Sequence, residues 1–190
     1  SKGMNGASVL SARAALRSGI GLLTVRGPAG AENILQTAVP EALFQADHHP
    51  DYISGEYTGD EKYKAVGIGP GIGTNPETVK YFTHFLKHCQ LPMLLDADAL
   101  NIISSNLDLL KLVYPNTIIT PHPKEFDRLF GAHTSDFSRL ETAREQAAKL
   151  NLIIILKGAH TAVIPPSGKV YFNSSGNPGM AKGGSGDVLT

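Results

Sequence analysis

Only one cysteine, Cys89, occurs in the 190 residues. A single thiol cannot close an internal disulfide, and without a Cys-x-x-Cys companion it makes no structural metal site. This usage fits a reducing, cytoplasmic compartment. Excess charge is missing too: 17 Lys plus Arg balance 17 Asp plus Glu. That removes electrostatic steering toward nucleic acid or an anionic membrane, and leaves small molecules as the expected partners. No stretch approaches the roughly 20 apolar residues of a membrane span, and the N-terminus lacks the basic and apolar regions of a signal peptide. Two nucleotide-binding signatures are also absent. No glycine is followed directly by Lys and then Ser or Thr, as a Walker-type loop requires. In GIGPGIG (67–73) the third glycine of a Rossmann-type G-x-G-x-x-G would fall on Ile72 or Thr74, and Pro70 interrupts the turn.

What is present is an alternation of short apolar runs with amphipathic stretches. The length suits one domain with a sizeable core, spanning 1–190, and both ends read as cut, so flanking sequence is expected in the full protein. Residues 6–18 form a small-residue helix ended by Gly19 and Gly21, and 22–26 (LLTVR) a buried strand. A short helix follows over roughly 31–38, with a further strand over 43–47. The polar, turn-rich 48–62 reads as a surface excursion. AVGIG (65–69) is a strand leading to a helix that opens at Pro76, capped by Thr74 or Asn75, with Val79, Phe82 and Leu86 on its buried face. PMLLDADALN (92–101) and TIITPHPKEFDRLFG (117–131) repeat the strand–loop–helix pattern, with Gly131 as a helix stop. An amphipathic helix over 138–150 precedes LIIIL (152–156), a strand buried on both faces, and AVI (162–164) with KVYF (169–172) form an antiparallel hairpin at the sheet edge.

This grammar predicts an α/β fold, a mostly parallel central sheet with helices on both faces. Parallel sheets bind ligands at the carboxyl ends of their strands. Gly69 to Gly73, Asp96 with Asp98, His122 with Glu125, and Lys157-Gly158 each follow a strand, and so are expected to share one crevice.

Asn177-Pro-Gly-Met-Ala-Lys-Gly-Gly-Ser-Gly-Asp187 combines four glycines with one acid just before an apolar helix start. Free amides at a helix N-terminus attract an anion such as phosphate. Asp187 is the candidate base beside that cradle, and a mere helix-starting acid in the alternative reading.

Taken together, GIGPGIG (67–73), DADALN (96–101), TPHPKEF (120–126), KGAHTAVI (157–164) and NPGMAKGGSGDVLT (177–190) resemble the motifs of the ADP/ATP-dependent NAD(P)H-hydrate dehydratases, of the ribokinase-like superfamily. The opening GMNGASVLSARAALRSGIGLLTV is similar to the family's first helix and strand. The resemblance implies an enzyme, a hydro-lyase, that spends a phosphate of ADP or ATP, with Mg²⁺, to return the S epimer of hydrated NADH or NADPH to the intact cofactor. It implies Asp187 as catalytic base, and Gly184, Ser185 and Gly186 as the anion hole. Lys157, Gly158, Ala159, His160, Thr161 and Gly186 would meet the nucleotide, and Ala7, Gly73, His122 and Asp187 the hydrated cofactor. Glu125 would orient Mg²⁺ through water, since that ion keeps much of its hydration shell. A homo-oligomer is expected. Asp96 and Asp98 are open between positioning metal or water and capping the following helix, and Lys182 has no assigned role. His48, His49 and His160 lack ligand-like spacing and read as surface groups. The competing class is a vitamin-precursor kinase of the same fold, which would release a stable phosphorylated product; a catalytically dead scaffold would be indifferent to loss of Asp187.

Overall fold

The computed structural model describes residues 1–59 and 62–190. Helix α1 (Asn5–Arg17) leads into β1 (Thr24–Gly27), α2 (Glu32–Ala38) and β2 (Leu43–Ala46). β1 and β2 pair in parallel, Thr24 opposite Leu43 and Gly27 opposite Ala46, as a sheet of their own. These two strands thus stand apart from the mostly parallel central sheet. The unit has its own small apolar cluster, in which Ala12, Val39 and Ala42 are buried, separate from the main core. The strand expected over 22–26 is also displaced: pairing begins at Thr24, and Leu22 is 86% exposed.

The main sheet has six strands in chain order: β3 (Val66–Ile68), β4 (Met93–Leu95), β5 (Ile118–Ile119), β6 (Ile153–Leu156), β7 (Ala162–Ile164) and β8 (Tyr171–Phe172). β3 to β6 run parallel; β7 and β8 turn back antiparallel and make the expected hairpin edge. Within β6 only Ile154 is fully buried, so burial on both faces holds for that residue and not for Ile153, Ile155 or Leu156.

The connecting helices follow local chemistry. α3 (Pro76–His88) opens on Asn75, whose side chain accepts from the Glu77 amide, and buries Thr78, Tyr81, Phe82, Phe85 and Leu86. α4 (Asp98–Ser105) buries Ala99, Leu100, Ile102 and Ile103. α5 (Pro123–Phe130) stops at Gly131, whose φ is 96°. α6 (Asp136–Leu150) is capped by Ser135 and seals Ala143 and Ala147 against the core. The segment after β2 is more anchored than a surface excursion. Asp47 is buried and accepts from Arg26, the His49 amide, and the amide and hydroxyl of Ser54, while Ile53 joins the core and its carbonyl accepts from Thr78. Residues 60 and 61 of that stretch lie outside the described residues. No helix among the described residues is long and apolar enough to cross a membrane.

Candidate active site

Because β3 to β6 are parallel and adjacent, the residues following them emerge side by side at one end of the sheet. Gly69, Asp96, the Thr120–His122 turn and Lys157 are those residues. The close fit begins at Gly69. A Cβ there would lie 1.8 Å from the Asp96 carbonyl oxygen, and its φ of 141° suits glycine, so the two loops touch through backbone. Ala97, between the two acids, holds φ 46°, an uncommon value for a residue with a side chain. On its two sides the acids serve different partners.

Asp96 is 1% exposed. Its Oδ1 accepts from Lys157 Nζ at 2.8 Å, and its Oδ2 from the Thr190 hydroxyl at 2.6 Å. Asp98 accepts from the Gly73 amide at 2.9 Å and from Asn101. Asp96 therefore belongs to the centre of the crevice, and Asp98, on the first turn of α4, pins the glycine loop.

His122 is the N-cap of α5. Its Nδ1 accepts from the amides of Lys124 and Glu125, and Glu125 Oε2 accepts in turn from the His122 amide, a reciprocal capping box. The other ring nitrogen, Nε2, lies 3.5 Å from Glu125 Oε1. Glu125 is buried and lies 3.7 Å from Lys157 Nζ. Lys157 thus turns inward between Asp96 and Glu125, with its backbone amide donating to Pro121. Gly158, Ala159 and His160 form an exposed turn, closed by Thr161 Oγ1 on the Gly158 carbonyl at 3.2 Å.

The glycine-rich stretch returns to the same place. Gly184 (φ 87°) precedes α7 (Ser185–Leu189), and a Cβ on it would lie 2.6 Å from Leu10 Cδ1 of α1. Asp187 is the third residue of α7, an acid in its first turn and not its N-cap, which is Gly184. Its carbonyl accepts from Ser11, also on α1. Burial, and next the neighbouring Asp96 charge, push the Asp187 carboxyl above its ordinary value of 3.8; Lys157 opposes the shift and Asp98 adds to it. A half-buried carboxylate of raised basicity suits proton abstraction. Gly186 faces Lys157, since a Cβ built on it would lie 3.9 Å from the ammonium nitrogen. Among the described residues, the amides of Gly186 and Asp187 have no protein partner.

Asp187, Gly186, Lys157, Glu125 and His122 are therefore brought together. Ala7 and Gly73 are linked to this group through Ser11 and Asp98. Ala7 packs against Gly71, and Gly73 is buried beneath Ser1 and Met4 with its amide already used by Asp98. His160 and His48 are exposed as expected, but His49 is not a free surface group, since it accepts from the Asp51 amide and stacks on Tyr52. Sequence reasoning missed Thr190 and left Asp96 open; the position of Asp96 immediately after a strand was the one available signal. Thr120, buried with no partner for its hydroxyl among the described residues, also went unnoticed.

The model of the NAD(P)H-hydrate dehydratase family matches residues 1–190. The chain belongs to that family. Among curated members, it is 37% identical over its whole length to the bifunctional NAD(P)H-hydrate repair enzyme Nnr of Moorella thermoacetica, covering 38% of that protein. It is 34% identical to the ADP-dependent (S)-NAD(P)H-hydrate dehydratase of Bacillus subtilis, with 98% of this chain and 66% of that protein aligned. The chain thus spans between about a third and two thirds of these dehydratase relatives. Of solved structures, the Bacillus subtilis ADP/ATP-dependent NAD(P)H-hydrate dehydratase co-crystallised with ATP/Mg²⁺ and soaked with CoA superposes at TM-score 0.80, with 33% identity, over 100% of this chain and 68% of that one. A ribokinase-like superfamily protein of Enterococcus faecalis gives 0.83 at 28% identity, over 99% and 65%. The dehydratase family fold seen here is accordingly ribokinase-like, as the order of motifs implied.

Proposed function

We propose that the full protein dehydrates the S epimer of hydrated NADH or NADPH, consuming ADP or ATP and releasing AMP or ADP with phosphate. The observation that carries this is the half-buried Asp187 carboxylate, without a hydrogen-bond partner among the described residues, beside the Gly186 amide and the Lys157 ammonium. The names of the Bacillus subtilis and Moorella relatives support the substrate and the donor.

A ring hydroxyl is a poor nucleophile and a poor leaving group. Asp187 takes its proton as the oxygen receives the terminal phosphoryl group, and the raised basicity of the carboxylate makes that transfer easier. The amides of Gly184 and Gly186 and the Lys157 charge steady the phosphoryl oxygens in transit, whereas the Ser185 amide, expected in the same anion hole, donates to the Lys182 carbonyl at 3.4 Å. Phosphate then leaves with the electrons of the C6–O bond, a proton leaves the adjacent ring carbon, and the double bond is restored. His122, its side chain partly exposed at the start of α5, holds the hydrated ring together with Ala7 and Gly73. The exposed turn from Gly158 to Thr161 offers backbone groups to the nucleotide.

The residues fit a metal that travels with the nucleotide. No group of three or more His, Cys, Asp or Glu among the described residues forms a cage. Both oxygens of Asp96 are taken by hydrogen bonds, whereas Glu125 spends Oε2 on its capping bond and has Oε1 only 3.5 Å from His122 Nε2. Glu125 would hold Mg²⁺ through water, and the ion would neutralise phosphate charge. Cys89, a buried free thiol, supports a cytoplasmic setting. Assembly into a homo-oligomer is tested by sedimentation of the full chain.

The deciding experiment follows absorbance at 340 nm when full-length protein meets hydrated NADH, Mg²⁺ and either ADP or ATP, beside Asp187→Asn. Recovery with one nucleotide, lost in the variant, establishes activity and donor. A stable phosphorylated product in place of free phosphate would identify a kinase instead.

A further inference from the structure

We infer that Asp96 is a positioning residue that ties the helix carrying the base, through Thr190, to the lysine on the nucleotide side of the crevice. This rests on Asp187 being the base.

α7 carries Asp187 in its first turn. Two side-chain hydrogen bonds from outside fix it. Ser11 of α1 donates to the Asp187 carbonyl at 2.8 Å, and Thr190 donates to Asp96 Oδ2 at 2.6 Å. Thr190 Oγ1 also lies 3.3 Å from the Gly186 carbonyl, so one hydroxyl touches both the turn and its anchor. The other oxygen of the same carboxylate holds Lys157.

A carboxylate this buried is costly unless both oxygens are paired, and here each has one strong donor. The two donors come from different elements: Lys157 directly follows β6, and Thr190 follows Asp187 by three residues. Asp96 itself is fixed from behind, because its amide donates to Ile68 and its carbonyl oxygen abuts Gly69. The distance between base and lysine is therefore set by one rigid group rather than by the loop between them.

Four variants of the full-length protein test this: Thr190→Val, Thr190→Ser, Asp96→Asn and the Asp96→Asn/Thr190→Val double. Thr190→Val is expected to lower kcat about tenfold, the size of one well-placed hydrogen bond, with the nucleotide KM within about twofold of the parent. Thr190→Ser restores kcat. Asp96→Asn, which also loosens Lys157, lowers kcat and raises the nucleotide KM, and the double variant is no worse than Asp96→Asn alone. Hydrogen exchange is read in parallel: Thr190→Val should speed exchange in 183–190 and leave 152–156 unchanged. An unchanged kcat in Thr190→Val, multiplying effects in the double variant, or unchanged exchange in 183–190 would each overturn the inference. Should the parent protein fail to dehydrate its substrate, the proposed function falls. The exchange measurement then judges the anchor alone, faster exchange supporting it and unaltered exchange refuting it.

Discussion

Ser11 and Asp187 stand 176 positions apart in sequence, yet the Ser11 hydroxyl donates to the Asp187 carbonyl at 2.8 Å. The same hydroxyl also lies 3.1 Å from the Ala7 carbonyl one turn earlier. α1 is thus the platform on which the last turn rests. Ser11→Ala removes the hydrogen bond that ties that carbonyl to α1, at a cost of about 1 kcal/mol, and lets the turn shift. Urea denaturation should report the loss, and kcat should fall severalfold while nucleotide affinity holds.

Asp187 is strained electrostatically by its site. Its carboxyl is raised above 3.8, chiefly by burial, so the native state holds a proton that the unfolded chain releases first. Stability therefore declines as pH rises from 3.8 through the raised native value, and the penalty is constant above it. Asp187→Asn removes the charge, and is expected to raise Tm at pH 7, to give no gain at pH 3, and to lower kcat by about 100-fold or more. A melting series across pH beside the 340 nm assay checks both halves.

On the far side of α5, Asp127 receives Arg139 Nε at 2.9 Å and a second guanidinium nitrogen at 3.0 Å, with His133 on the same carboxylate. The guanidinium hydrogen bonds hold the Asp127 carboxyl down at about 2. A depressed carboxyl contributes fully above the unfolded value near 3.8, and loses that contribution as pH falls through about 2. A tenfold gain in acidity corresponds to about 1.4 kcal/mol, and solvent around this partly exposed pair screens part of it. Asp127→Asn should therefore cost about 1 kcal/mol at pH 7. The gap between parent and variant in chemical denaturation should close between pH 4 and pH 2.

Gly69 admits no side chain. An added Cβ would fall 1.8 Å from the Asp96 carbonyl oxygen, a backbone atom that cannot swing aside. Gly69→Ala should cost about 2 kcal/mol or more and displace Asp96, so that thermal stability and kcat fall together. Gly67→Ala, where a Cβ meets nothing within 4 Å, is the control, with a Tm close to that of the parent.

The pattern of apolar runs and helix signals determined most of the architecture. Asn75 before Pro76, Gly131 after α5, and the Ala143 and Ala147 face of α6 act within one turn of chain, so their effect is readable locally. The rule that ligands gather at the carboxyl ends of parallel strands likewise picked out Asp96, His122 and Lys157, because strand order and direction decide it. The separate β1–β2 sheet was not readable, since nothing in Leu43–Ala46 names its partner strand.

The division within the site has the same cause. Sequence by itself marked Asp187 and its glycines, whose residue types carry the chemistry. Only the tertiary structure decided that Lys157 turns inward to Asp96 and Glu125, that His122 spends Nδ1 on capping, and that Thr190 and Ser11 hold the last turn. Those partners lie 94 and 176 positions away along the chain for Thr190 and Ser11. A hydroxyl carries no mark of such a partner until the fold closes the distance.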